Sequence, residues 1–328
     1  MVGITSHRSW AALLGMAAGV TALGVVGSAV HASAIASDNA GNYTGALTTG
    51  ATGGTGFGSW TVLASDSTSP PYAGTYLSAS GKPIASIPSK KAWGVYSNSG
   101  TATATPRVDL FRPFIGALAS GQTFSAALES NSVGSDVYGT PTTYHHNGLP
   151  AYGFSLQTGS AATVTAGTTP MTVGTSSYSP GSFTNPNAVF TFSMTQLGPG
   201  ETVNGQSGSS SYPMETNITD ASGTHSTISG LTAAQIGAGV MAAFSLGTGN
   251  AYTLTLSSVG ATPTVLDTYT GTVSSTSPIN GVDLFDQATA QNGYFNSLQI
   301  AAVPEPATIG LFIAAGAGLL LVRRRRSA

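Results

Sequence analysis

Between residues 37 and 301 this chain never settles into a helical period. Apolar side chains alternate instead with hydroxyl-bearing or small ones in short runs. Phe124, Ala126 and Leu128 alternate with Thr123, Ser125 and Ala127, and Phe190, Phe192 and Met194 with Thr191 and Ser193. Tyr252, Leu254 and Leu256 alternate with Thr253 and Thr255, and Asn296, Leu298 and Ile300 form the last run. A period of two sends successive side chains to opposite faces of a strand, so each run offers an apolar face to a core and a hydroxyl face to solvent. Further strands are expected over 60–63, 74–77, 92–96, 108–111, 152–156, 240–246, 269–273 and 282–285, separated by Gly, Pro, Asn and Ser clusters. About a dozen short strands in one stretch indicate a single antiparallel sandwich or barrel.

Two places are less regular. Thr232 is positioned to cap a short helix through Ala233-Ala234-Gln235-Ile236, which Gly237 would end before a strand from Val240. The segments 157–188 and 198–227 are rich in Thr, Ser and Gly with weak period and read as long loops.

Charge narrows the partners. Only 7% of the 328 residues are charged, against roughly 25% in an average soluble domain. Hydroxyls and backbone amides must therefore cover most of the surface. Leaving out Arg8, Glu305 and Arg323–Arg326, five basic side chains face eleven acidic ones, a net charge near -6. No basic patch is present to neutralise phosphates, which argues against nucleic-acid binding. The absence of cysteine excludes disulfides, thiolate chemistry and Cys-based zinc sites.

Both ends of the chain depart from this pattern. His7 and Arg8 precede a run from Trp10 to Val30 that is almost wholly apolar or small. Ala32-Ser33-Ala34 then supplies the small-x-small form that signal peptidase accepts, so residues 1–34 read as a signal peptide cleaved after Ala34, with Ala32 or Ala36 as rival sites. At the other end, Pro304-Glu305-Pro306 is followed by an uncharged stretch from Ala307 to Val322 and by Arg323-Arg324-Arg325-Arg326. As a helix, 307–322 would be about 24 Å long, slightly short of the roughly 30 Å hydrocarbon core. Arginines snorkelling to the headgroups make up the difference and hold their end in the cytoplasm. The two prolines leave an extended segment just outside the bilayer, where a processing enzyme can reach it.

In order and spacing, these three elements resemble the PEP-CTERM sorting signal. The resemblance implies recognition by an exosortase, cleavage near Pro304-Glu305-Pro306, and delivery to the surface of a bacterium that makes exopolysaccharide. Several patches of the middle region are similar to concanavalin-A-like jelly-roll surface domains: Gly56-Phe57-Gly58-Ser59-Trp60, Ala92-Trp93-Gly94-Val95-Tyr96, Phe111-Arg112-Pro113-Phe114, Gly281-Val282-Asp283-Leu284-Phe285 and Gly293-Tyr294-Phe295-Asn296. This second likeness implies a fold and no activity. The expected organisation is a signal peptide (1–34), an all-β antiparallel sandwich of the jelly-roll type (37–301), and a sorting signal (303–328) with one transmembrane helix.

Little catalytic chemistry is visible. A two-carboxylate glycosidase needs its carboxyls about 5 to 9.5 Å apart, and jelly-roll glucanases take theirs from a Glu-x-Asp-x-Glu strand. Glu129, Glu201 and Glu215 have no acidic residue two or four positions away, and Asp283 and Asp286, three apart, fall on opposite faces of a strand. His145-His146 is the one imidazole pair. On a strand the two rings diverge, whereas in a loop they could join Asp136 or His225 around a metal. Their setting reads as an exposed loop tip, and no metal or cofactor is expected. Trp60 and Trp93 lie in expected strands and read as core rather than sugar platforms. Tyr72, Tyr138, Tyr144 and Tyr178 sit in loop-like context. The reading is a non-catalytic, surface-sorted component of the extracellular polysaccharide matrix. A lectin-like carbohydrate-binding module and a glycoside hydrolase with dispersed carboxylates are its rivals.

Overall fold

The computed structural model describes residues 34–64, 72–78, 84, 91–98, 107–130, 151–159, 187–196, 202–203, 206–207, 214–287 and 292–302. In chain order the strands begin with β1 (Ala34–Asp38), β2 (Thr61–Ala64), β3 (Tyr72–Ser78), β4 (Ala92–Asn98), β5 (Arg107–Leu118) and β6 (Gln122–Ser130). Next come β7 (Ala151–Thr158), β8 (Ala188–Gln196), β9 (Thr202–Val203), β10 (Gln206–Ser207), β11 (Met214–Asp220) and β12 (Gly223–Ile228). A short α-helix, α1 (Ala233–Ala238), precedes β13 (Val240–Leu246), β14 (Ala251–Ser258), β15 (Val265–Thr272), β16 (Ile279–Gln287) and β17 (Gly293–Ala302). Among the described residues, no helix is long and apolar enough to cross a membrane.

The fold is an all-β antiparallel sandwich. One sheet has eight strands in the order β15-β14-β13-β6-β17-β4-β3, with β1 beside β17. The other has seven in the order β12-β11-β8-β7-β16-β5-β2. Alternation explains the layering. Phe124, Ala126 and Leu128 on β6, and Phe154 and Leu156 on β7, all point into one buried core. Aromatic rings join the layers: Phe124 lies 5.6 Å from Phe154, and Phe190 lies 4.7 Å from Phe244 and 4.9 Å from Tyr252. Offset and edge-on arrangements at such separations add to the area they bury.

The alternating runs become strands as expected, and β13 has the expected bounds. Three readings need correction. The stretch 198–227 is not all loop, because β11 and β12 form an antiparallel hairpin that continues the seven-stranded sheet through β8. Met214, Thr216, Ile218 and Asp220 are its buried face, a pattern that threonine and aspartate conceal from a search for apolar alternation. The helix at Thr232 runs one residue past Gly237. Thr232 and Gln235 form a reciprocal capping box, and Gly239, at φ +93°, takes a backbone conformation that favours glycine and ends the helix. Finally, Asn296 does not share a face with Leu298 and Ile300. The register with β6 shifts between Asn296 and Gln299, so Phe295, Leu298 and Ile300 enter the core and Asn296 points outward.

Asn296 is buried on that outer side and fully engaged. Its amide donates to the carbonyls of Ile84 and Lys91, and its oxygen accepts from the backbone N–H groups of Ala40 and Ser297, each at 2.9 Å. One side chain thus ties the turn after β1 and two further segments to the last strand.

Candidate functional site

The first strand of the sandwich carries a charge into the interior. Beside β17, β1 aligns Ala34 with Ala301 and Asp38 with Leu298, and a register shift after Ala34 leaves Ile35 half exposed. Asp38 Oδ2 accepts from Arg112 Nη1 at 2.6 Å and from the Tyr43 hydroxyl at 2.5 Å, with both members of the ion pair buried. Arg112 also donates to Tyr43 Oη and to the Gly53 carbonyl at 2.6 Å, and it lies 4.7 Å over the Trp60 ring. Trp60 Nε1 donates to Tyr43 Oη at 2.8 Å. Burial, then the hydrogen bond to Asp38, push the Tyr43 hydroxyl up to about 12. The cluster holds β1 and the following turn against β5.

A second cluster occupies the outer face of the seven-stranded sheet. Register places Asp109 opposite Phe285, and Arg107 opposite Gln287. Arg107 Nε donates to both oxygens of Asp109 at 2.7 and 2.8 Å, and Nη1 donates to Gln287 at 2.8 Å. Nη2 contacts Asp109 and lies 3.9 Å from Asp283, while the guanidinium stacks 4.6 Å from the Phe285 ring. The fold therefore does bring two carboxylates, Asp109 and Asp283, to one place. The Arg107 guanidinium lies against both, hydrogen-bonded to Asp109 and 3.9 Å from Asp283. Asp286 lies on the opposite face, as its spacing from Asp283 requires, and accepts from Ser97 Oγ at 3.0 Å.

A third group joins the two sheets at one edge. Asp220, at the β11–β12 turn, accepts from Tyr252 of β14 at 2.8 Å and from Ser222 N and Oγ at 2.8 and 2.6 Å. A Cβ at Gly271 would lie 2.3 Å from Asp220 Oδ2, so a larger residue there would have to displace the carboxylate. Burial works against ionisation of Asp220, but the hydrogen bonds from Ser222 and Tyr252 outweigh it and hold the carboxyl below its ordinary value. A depressed folded pKa contributes stability that is complete above the unfolded value, about pH 3.9, and is lost as pH falls through the folded one. Urea midpoints measured from about pH 5 down to about pH 2 should therefore fall less steeply for Asp220→Asn than for the parent. Parallel slopes would mean that the latch carries no acid-linked stability. Nearby His225 hydrogen-bonds Ser222 at 2.8 Å and is exposed, with Asp220 at 3.7 Å. Asp220 accepts from the serine instead of orienting the imidazole, which is not the relay a serine nucleophile needs.

The outer face of the eight-stranded sheet is different again. Strand register aligns Thr270, Thr253, Ser245, Thr123 and Ala301 in one row across β15, β14, β13, β6 and β17. A parallel row holds Thr268, Thr255, Ala243, Ser125 and Gln299. All are exposed or partly exposed. Thr123 and Ser245 share a hydrogen bond of 2.7 Å across their strands.

Most residues singled out in the sequence do not converge. Trp60 and Trp93 are fully buried and meet edge-on at 5.3 Å, in the core as expected. Glu129 is buried and accepts from the Ile84 amide at 3.1 Å, while Glu215 is half-buried on β11. Among the described residues, no group of three or more His, Asp or Glu side chains is arranged to hold a metal. His145, His146, Asp136, Glu201, Tyr138, Tyr144, Tyr178 and the Tyr72 side chain lie outside the described residues. So do Ala32 and the sorting-signal residues Pro304, Glu305, Pro306 and Arg323–Arg326; Ala34 opens β1.

No family model matches the chain, and no curated protein does. Solved structures are similar in outline. The globular domain of T. cruzi calreticulin has a TM-score of 0.38 and 10% identity, covering 79% of this chain and 89% of its own. The exoplasmic/lumenal domain of VIP36, in a Ca2+/Man2-bound form, scores 0.40 at 6% identity, covering 75% and 82%. A lectin from Bauhinia forficata in complex with GalNAc scores 0.35 at 8% identity, covering 81% and 96%. At these scores none of them bears on what this chain does.

Proposed function

We propose that this chain is exported, sorted to the cell surface through its C-terminal signal, and held in the extracellular polysaccharide matrix as a non-catalytic component. The observation that carries this reading is the order Pro304-Glu305-Pro306, uncharged 307–322, Arg323-Arg324-Arg325-Arg326, opposite an export signal at the other end. Signal peptidase would cut after Ala34 and leave β1 nearly whole, since Ala36 and Asp38 are its buried residues. The rival cut after Ala36 would remove three of the five residues of the strand that delivers Asp38. Pairing of Ala34 with Ala301 puts both chain exits at one end of the sandwich. A single anchor following Ala302 would then hold that end toward the inner membrane until an exosortase cuts near Pro304–Pro306.

The non-catalytic part is supported by Arg107, whose guanidinium is paired with Asp109 and lies 3.9 Å from Asp283. Deleting residues 304–328 should abolish display on the cell surface, measured by protease shaving of intact cells. Display unchanged by the deletion would end the sorting reading. In the same cells, the displayed protein should co-purify with the cell's own polysaccharide and release no reducing ends from it. Release of reducing ends would instead mark a hydrolase.

A further inference from the structure

We propose that the end of the sandwich where β1 begins and β17 ends rests on the membrane surface while the chain is anchored, with Ile35 and Ile115 as its apolar contacts. This inference rests on the sorting reading above and names the surface that meets lipid before the chain is cut.

Among the described residues, three large apolar side chains are exposed: Ile115 at 75%, Val265 at 62% and Ile35 at 50%. Single exposed apolar residues are ordinary on a protein surface. Two of these three, however, are neighbours. Gly56 lies between their backbones: its carbonyl accepts from the Ile115 N–H at 3.0 Å, and a Cβ on it would lie 2.7 Å from the Ile35 carbonyl oxygen. A bulge turns Ile115 outward. Gly281 pairs with Pro113 and Ile279 with Leu118, so residues 114–117 of β5 stand opposite Asn280 alone. Phe114 fills the core beside Phe57, and the next side chain is left outside.

Their place in the fold selects the occupant. Ile35 follows the Ala34–Ala301 pair, and the last rung of the eight-stranded sheet at this end runs through Ala302, Gln122, Leu246, Tyr252 and Gly271. Residues 303–306 separate Ala302 from the uncharged 307–322 stretch, and four residues span at most about 14 Å. An anchored domain therefore holds this end against the headgroups. Asp220 lies beside that rung, but Tyr252 holds its carboxylate inward, so contact with lipid strips water from no unpaired charge there. A cut after Ala34 would leave the α-ammonium of Ile35 in the same patch, where headgroup phosphates can pair with it.

Two isoleucines are a small apolar area. Even a whole myristoyl chain gives only marginal membrane binding. The contact therefore orients a tethered domain and lets go once the tether is cut. Val265 supplies the contrast, because it lies toward the far end of β15, about 20 Å along the strands from this rung.

The test uses the full chain, made in a host that removes the signal peptide but has no exosortase, and reconstituted in phosphatidylethanolamine/phosphatidylglycerol vesicles. The chain has no cysteine, so Ile115→Cys and Val265→Cys each carry a single bimane label. Thermal midpoints equal to the parent's establish that both fold. A nitroxide lipid labelled high on its acyl chain should quench position 115 at least about two-fold more strongly than position 265. Equal quenching at the two positions would overturn this proposal alone. Position 115 shielded from aqueous iodide yet untouched by the lipid quencher would mean that protein covers it, a second copy or another partner, and would overturn it as well. A chain that alkaline carbonate washes off the vesicles would overturn the anchor, and with it the sorting reading.

Discussion

Asp38→Ala should lower the unfolding free energy by about 3 to 5 kcal/mol, the cost of leaving a buried charge without its partner. The cause is Arg112. Its guanidinium is fully buried between the sheets, with Asp38 at 2.6 Å as its only salt-bridge partner among the described residues. Removing the carboxylate also strips an acceptor from Tyr43 and from Asn42, which donates to Asp38 Oδ1 at 2.8 Å. The result is read from urea denaturation of the parent and the variant. A loss below about 1 kcal/mol would put the pair in the range of exposed ion pairs and refute its role in fixing β1.

Phe154→Ala should cost a similar amount, about 3 to 5 kcal/mol, through a different mechanism. Phe154 is fully buried on β7 and touches Phe124 at 5.6 Å, Phe190 at 6.0 Å and Phe192 at 5.6 Å. Phe124 belongs to the opposite sheet, so the cavity would open between the layers. Neighbours anchored in two paired sheets have little freedom to collapse into it. Thr224→Ala, on the exposed side of β12, should stay within about 0.5 kcal/mol and serves as the control. Equal midpoints for the two variants would mean that the sheets do not pack through this aromatic cluster.

The strands that could be read from sequence are those whose alternation is carried by large apolar residues. Val240–Leu246 is such a case, with Val240, Ala242 and Phe244 buried and Met241, Ala243 and Ser245 partly exposed. The capping role of Thr232 was also legible, because a cap is a local interaction. In β11 and β12 the buried face mixes Met214 and Ile218 with Thr216 and Asp220, so composition masks the period. β1 was hidden for another reason: its buried apolar residue is only Ala36, in a stretch that also reads as a processing site. The separation of Asp283 from Asp286 followed from strand geometry alone. The approach of Asp109 to Asp283 did not, because it depends on pairing β5 with β16 across more than a hundred and fifty residues of sequence. The same holds for the hydroxyl rows. Each threonine is ordinary in its own strand, and only the cross-strand register makes a surface of them.

The most direct test of the account is the intact mass of the protein extracted from the cell surface without protease. Export followed by sorting predicts a species that begins at Ile35 and ends near Pro304–Pro306, without the 307–322 stretch and its four arginines. A surface-exposed species that still extends to Ala328 would contradict the account.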